Sequence, residues 1–276
     1  MNEIEKPINR SQLRQLVGKE YFILKRKVNW IFGMQKWATK KENLFPKNEV
    51  FYHKSMILRP LKDVDMYLQK NKRTNLRIAI RHLDKIIIEP GETFSIWRLV
   101  GRPTKGKGYL DGLVLKQGKT SAGTGGGLCQ LGNLLFWIFA HSPLTITERY
   151  RHGFDVFPDI NRKVPFGAGA TLSFNHIDLQ VKNETTERFQ INLWLDDEYL
   201  NGQLLSENIM ETNYRIEERN HIMKQQIWGG YSRHNQIVQI VKDKFGSETE
   251  KLLVENHAVM MYSPFIESDK VKPNKV

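Results

Sequence analysis

Between positions 128 and 139 the apolar residues Leu128, Leu131, Leu134, Leu135, Ile138 and Phe139 return at intervals of three and four. That is the period of an α-helix. The same spacing of Leu76, Ile80 and Leu83 predicts a helix from about Asn75, followed by a strand at Ile86–Ile88 and a turn at Pro90 and Gly91. A second strand is expected in "TFSIWRLV" and glycine-rich loop and short strand from 101 to 127. Beyond Pro143 the stretches "LTITERY", "FDVFP", "ATLSFNHIDLQVKN" and "FQINLWLDD" read as strands, and residues 234–262 as a late hairpin closed around Gly246. Helix, strand, cysteine-bearing helix, then mostly strand predicts an α+β fold, with that helix packed on a largely antiparallel sheet. No internal repeat interrupts the order. The chain divides into a basic, aromatic, helical segment at 1–73 and an α+β domain with a C-terminal hairpin at 74–276.

The first segment interleaves Tyr21, Phe22, Trp30, Phe32 and Trp37 with Lys25, Arg26, Lys27, Lys36, Lys40 and Lys41. Such a helix suits a membrane surface or a nucleic acid. The simpler expectation is a helix that packs its aromatic side on the body and solvates its lysines, with weak, salt-sensitive contact to an anionic membrane surface.

Composition narrows the chemistry. With 276 residues, 40% apolar and 26% charged, the chain can bury a sizeable core. One cysteine excludes an internal disulfide and every multi-cysteine zinc pattern. No metal centre and no cofactor are expected. A formal charge of +12 favours anionic partners: nucleic acid, acidic lipid headgroups or cell-wall polymers. No helix-turn-helix, zinc-finger or RNA-binding signature appears, so specific nucleic-acid recognition is not expected. No apolar stretch has the form of a secretory signal or the length of a membrane span, which predicts a cytoplasmic protein, peripheral to a membrane at most.

The single cysteine, Cys129, follows Gly125, Gly126 and Gly127 and opens the predicted helix. Free N–H groups and the positive dipole end there favour a thiolate, a nucleophile. The glycines imply positive φ or a close approach to the backbone. The competing reading makes Cys129 a small buried hydrophobe. A cysteine nucleophile needs a base, and the base an orienting acceptor. His152, beside Gly153 on the first strand region after the helix, is the first choice; His176 is the reserve. His141 lies about 18 Å away at the far end of the same helix. Asp178 is preferred to Asp155 as the orienter. A cysteine on a helix followed by a histidine and an acid on strands resembles the papain-like and transglutaminase-like plan.

The stretches "NLRIAIRHLDKIIIEPGETFSIWRLVG", "GYLDGLVLKQGK", "GGGLCQLGNLLFWIFAHSPLTITERYRHG" and "HIDLQVKNET" resemble the VanW family over about 75–198, and "ENHAVMMY" resembles its short members. The resemblance implies peptidoglycan biology, and in some cell-wall-associated relatives cysteine-dependent L,D-transpeptidation. Its motif residues fall here on Gly91, Glu92, Phe94, Gly126, Gly127, Cys129, Gln130, Glu148, Arg149, His152 and Asp178. Relatives usually carry Asp-Ala-Thr where this chain has Gly169, Ala170 and Thr171. The implied reaction is cysteine acyl transfer or amide hydrolysis on a peptidoglycan stem peptide or precursor. Cys129 attacks, His152 moves the proton, Asp178 fixes the imidazole, and helix N–H groups near Gly126 and Gly127, with Gln130, hold the oxyanion. Arg149, Arg102 and Lys107 would bind substrate carboxylates. The rival is a non-catalytic module that recognises cell-wall precursors.

Overall fold

The computed structural model describes residues 11–58, 65–116, 119–151, 153–156 and 164–262. Its core is built on α4 (Cys129–Ala140), which buries Leu131, Leu134, Leu135, Phe136, Ile138, Phe139 and Ala140. Only the side of Cys129, Gln130, Asn133 and Trp137 is left open, with Asn133 exposed; the rest of a helix this apolar must be enclosed. One antiparallel sheet supports it, in the order β1 (Asn48–Met56), β10 (Tyr199–Ser206), β9 (Phe189–Leu195), β2 (Ile86–Ile88). α4 rests on β1 and β10, and α2 (Met66–Leu83) on β9. Gly202 of β10 lies so close to Leu134 and Ile138 that a Cβ there would stand 2.7 Å from each side chain.

A three-stranded sheet, β3 (Thr93–Ser95), β8 (Gln180–Lys182), β6 (Thr145–Glu148), and a hairpin of β4 (Asp111–Lys116) with β5 (Lys119–Thr124) complete the central body. The C-terminal sheet runs β11 (Asn213–Gln225), β12 (Tyr231–Lys242), β13 (Glu248–Met260), β7 (Phe154–Asp155), the last pair parallel. The fold is α+β. Its late hairpin turns at Gly246, whose φ of 85° suits glycine.

Several elements depart from the sequence pattern for local reasons. "TFSIWRLV" is a strand only to Ser95, whose hydroxyl accepts from the Arg98 N–H at 3.2 Å and caps the short helix α3 (Ile96–Val100). Gly101, at φ 70°, ends it. The long stretch 170–183 is turn until Gln180, with Asn175 at positive φ. The first 73 residues supply α1 (Gln12–Phe32), the strand β1 paired along its length with β10, and the opening turns of α2, which crosses position 73.

α1 reaches the body through Ile23, Arg26 and Trp30, which recur on one face. The Arg26 guanidinium donates to both carboxylate oxygens of Glu148, at 2.7 and 2.6 Å, and its Nε to the Asn175 carbonyl at 2.9 Å. Trp30 meets Trp37 edge-on at 6.4 Å between ring centroids. Removing the guanidinium leaves the Glu148 carboxylate without its cation in a partly enclosed place. Arg26→Ala should therefore lower unfolding stability in urea by about 2 kcal/mol. A loss below about 0.5 kcal/mol, the scale of an exposed pair, would show the clamp to be unimportant.

Candidate functional site

The β4–β5 hairpin delivers the triple glycine to the start of α4. Gly125 and Gly127 take φ of 76° and 92°. The Gly125 N–H donates to the Leu110 carbonyl and the Gly127 N–H to that of Leu113, both at 3.0 Å. The close approach implied by the glycines is thus made within the chain. A Cβ on Gly126 would overlap the backbone of Gly112, and one on Gly127 would overlap the stem of the buried Lys72. The Asn75 amide, donating to the carbonyls of Leu110 and Gly126 at 2.9 Å each, fastens the loop to α2. Gly126 and Gly127 accordingly shape the entrance to α4 by packing.

Cys129 is the first residue of α4 and its thiol is free. Sγ lies 3.5 Å from the Leu172 nitrogen and 3.8 Å from its carbonyl oxygen. Burial pushes the thiol pKa up, while the N–H of Leu172 and its own N–H pull it down; burial wins. The expectation that a helix terminus alone would lower this pKa is corrected by that desolvation. Segment 169–172 runs beside the first turn of α4. The Ala170 N–H donates to Asn133 Oδ1 at 3.0 Å, and a Cβ on Gly169 would collide with the Asn133 side chain.

The remaining candidates fall in separate places. Gln130 directs its amide to the Ser55 carbonyl and hydroxyl and to the Met56 carbonyl, at 3.2, 2.9 and 2.8 Å, tying α4 to β1 and facing away from an oxyanion role. Arg149 donates Nε to the Gly169 carbonyl at 2.8 Å, and one terminal nitrogen to the Gly167 carbonyl and to Asn256 Oδ1. Burial, then the like charge of Arg151, lowers its pKa. Held this way, Arg149 braces the segment beside Cys129. Arg102 is exposed and pairs with Glu20 of α1 at 3.4 Å; Lys107 is exposed on a single turn at Lys105–Lys107. His141 closes α4 with its Nδ1 2.8 Å from the Trp137 carbonyl, and burial pushes its pKa to about 4. His176 packs on Phe22 of α1 at 4.8 Å. His152 lies outside the described residues.

Asp178 is wholly buried. It accepts from Ser95 Oγ at 2.5 Å, the Trp97 N–H at 3.2 Å and the Leu179 N–H at 2.9 Å, with Arg26 at 3.9 Å. Among the described residues no histidine shares these contacts. Asp178 organises the β3–α3 corner, and with Glu148, whose oxygen accepts from the Asp178 N–H at 3.0 Å, it receives α1. Sequence reasoning missed Arg26, although its place between Ile23 and Trp30 on one helical face was a usable signal. It also missed Leu172 and Lys72, whose roles depend on contacts distant in the chain. No group of three or more His, Cys, Asp or Glu side chains among the described residues is placed to hold a metal ion.

Residues 71–205 match the family model described as VanW like protein. A protein of Enterococcus faecalis (strain ATCC 700802 / V583), named Vancomycin B-type resistance protein VanW, is 45% identical over 152 residues, 55% of this chain and 55% of that protein. Uncharacterized protein YoaR of Bacillus subtilis (strain 168) is 32% identical over 118 residues, 42% of this chain and 36% of that protein. The chain thus spans about half or less of the length of these relatives. No solved structure matches it.

The buried carboxyl of Asp178 gives a pH test. Burial raises its pKa from an ordinary 3.8 to about 6, against the pull of Ser95 and with the push of Glu148. A raised pKa means that its favourable contribution is full below about pH 4 and is lost as pH rises through about 6. Relative to Asp178→Asn, the native chain should lose on the order of 2 kcal/mol of unfolding stability between pH 4 and pH 7, measured in urea. The opposite slope would mean that Arg26 dominates and holds the carboxyl ionised.

Proposed function

This chain belongs to the VanW family through residues 71–205, and from that premise we propose that it acts on peptidoglycan stem peptides in glycopeptide-resistance biology, with Cys129 as the acyl acceptor. The observation that carries the reading is the place of the thiol. The only cysteine of the chain stands at the first turn of a buried helix, with the Leu172 N–H and its own directed at Sγ. Donors so placed stabilise sulfur as it gains negative charge.

In the proposed reaction Sγ attacks a stem-peptide carbonyl, the C–N bond breaks, and the amine leaves with a proton. The thioester then passes to a second amine, as in L,D-transpeptidation, or to water. His152 is assigned the proton transfer from its place in the sequence, two residues before Phe154 of β7. A nucleophile on a helix served by groups from later segments is the papain-like and transglutaminase-like plan. Asp178 is not assigned to the imidazole, since its oxygens serve Ser95, Trp97 and Leu179. Arg102 and Lys107, exposed on the loop after α3, are assigned to substrate carboxylates. One observation favours a second reading, recognition of cell-wall precursors without chemistry: burial keeps Cys129 a neutral thiol at rest.

Amine release from a synthetic tetrapeptide stem, with calorimetric binding alongside, separates the two. Cys129→Ser should abolish release while keeping binding. His152→Ala should lower release by at least about a hundredfold, the range of a general acid-base. Binding with no release by the native chain, whatever acceptor amine is added, would establish the recognition reading.

A further inference from the structure

α1 has two faces, and only one is used. At 3.6 residues per turn, Ile23, Arg26 and Trp30 point to the body, while Leu13, Val17, Tyr21, Leu24, Val28 and Ile31 form a stripe on the other side. These six range from 44% to 73% exposed. The stripe extends along the whole helix, about 30 Å at 1.5 Å per residue. A contiguous apolar surface of this kind marks a place that something else covers.

The charges beside it say what. On the helical wheel Arg14 and Lys25 border the stripe on one side and Lys27 borders it on the other, all three exposed. Glu20, the single acidic residue of α1, is paired with Arg102 at 3.4 Å. An apolar stripe flanked by cations, two on one border and one on the other, is the pattern of a helix lying in a membrane interface. A second copy of a chain with formal charge +12 would bring like charges against these borders. No helix among the described residues is long and apolar enough to cross a bilayer, so the contact is in the plane of the surface.

We infer that α1 is an interfacial anchor that seats the protein on an anionic lipid bilayer, apolar stripe inward, while Arg26 holds the helix to the body. Flat docking of the aromatic side with solvated lysines, the simpler expectation from sequence, leaves this stripe unexplained. An apolar contribution also makes binding outlast the screening of charge.

The test is flotation of the full chain with phosphatidylcholine vesicles containing 30% phosphatidylglycerol, and with phosphatidylcholine alone. The native protein should float with the anionic vesicles and keep at least a third of that binding in 0.5 M NaCl. Leu24→Glu with Val28→Glu, on the outward face only, should reduce binding at least tenfold with an unchanged melting temperature. Lys25→Gln with Lys27→Gln should reduce the preference for phosphatidylglycerol. The inference is overturned if the native chain stays with the pellet, if the Leu24→Glu, Val28→Glu protein floats equally well, or if binding vanishes in 0.5 M NaCl. It is likewise overturned if sedimentation velocity shows a dimer that the double glutamate variant dissociates while vesicles go unbound.

Discussion

Enclosing α4 is the constraint from which the rest of the structure follows. Seven of its twelve residues, from Leu131 to Ala140, carry apolar side chains with no access to water, and each element around it is shaped to allow that. Gly202 thins β10 where Leu134 and Ile138 press on it. Gln130 sews the first turn to the end of β1, and Asn133 fixes segment 169–172 alongside. Burying so much apolar surface is the dominant favourable term in folding, so the position of the thiol at the head of the helix is set by the core as a whole.

The polar half of the architecture answers a different demand. The carboxylates of Glu148 and Asp178 share the Arg26 guanidinium, and Asp178 is wholly desolvated. Like charges in that setting are tolerated when a cation and several N–H donors attend them, here Arg26 and the N–H groups of Trp97 and Leu179. Because this clamp holds α1 by one guanidinium and a narrow apolar strip, the helix can attach to the body and still present its larger apolar face outward.

How far the sequence could be read tracks how local each cause is. α4, β2 and the β12–β13 hairpin were legible because unbroken apolar periodicity or a single turn glycine determines them. β1 was hidden in a basic, aromatic region whose strand character comes from pairing with β10, some 150 residues later. The change from β3 to α3 hinged on one capping hydroxyl. At the site, the place of Cys129 at a helix start was evident, whereas the segment that half covers it was not, since Leu172 meets it from 43 residues away. The glycines signalled a close approach correctly in kind; that Gly112 and Lys72 are the groups approached is a tertiary fact. Asp178 looked available because its chemistry is visible in sequence, whereas its contacts with Ser95 and Trp97, more than 80 residues upstream, are not.

In the proposed reaction Cys129 becomes covalently linked to the acyl part of a stem peptide. Intact-mass spectrometry of the native chain after incubation with a tetrapeptide stem, quenched in acid to preserve a thioester, measures this directly. The expected result is a mass increase equal to the acyl fragment, mapped by proteolysis to the peptide containing Cys129 and absent from Cys129→Ser. An unmodified chain, under conditions in which the peptide is bound, would contradict it.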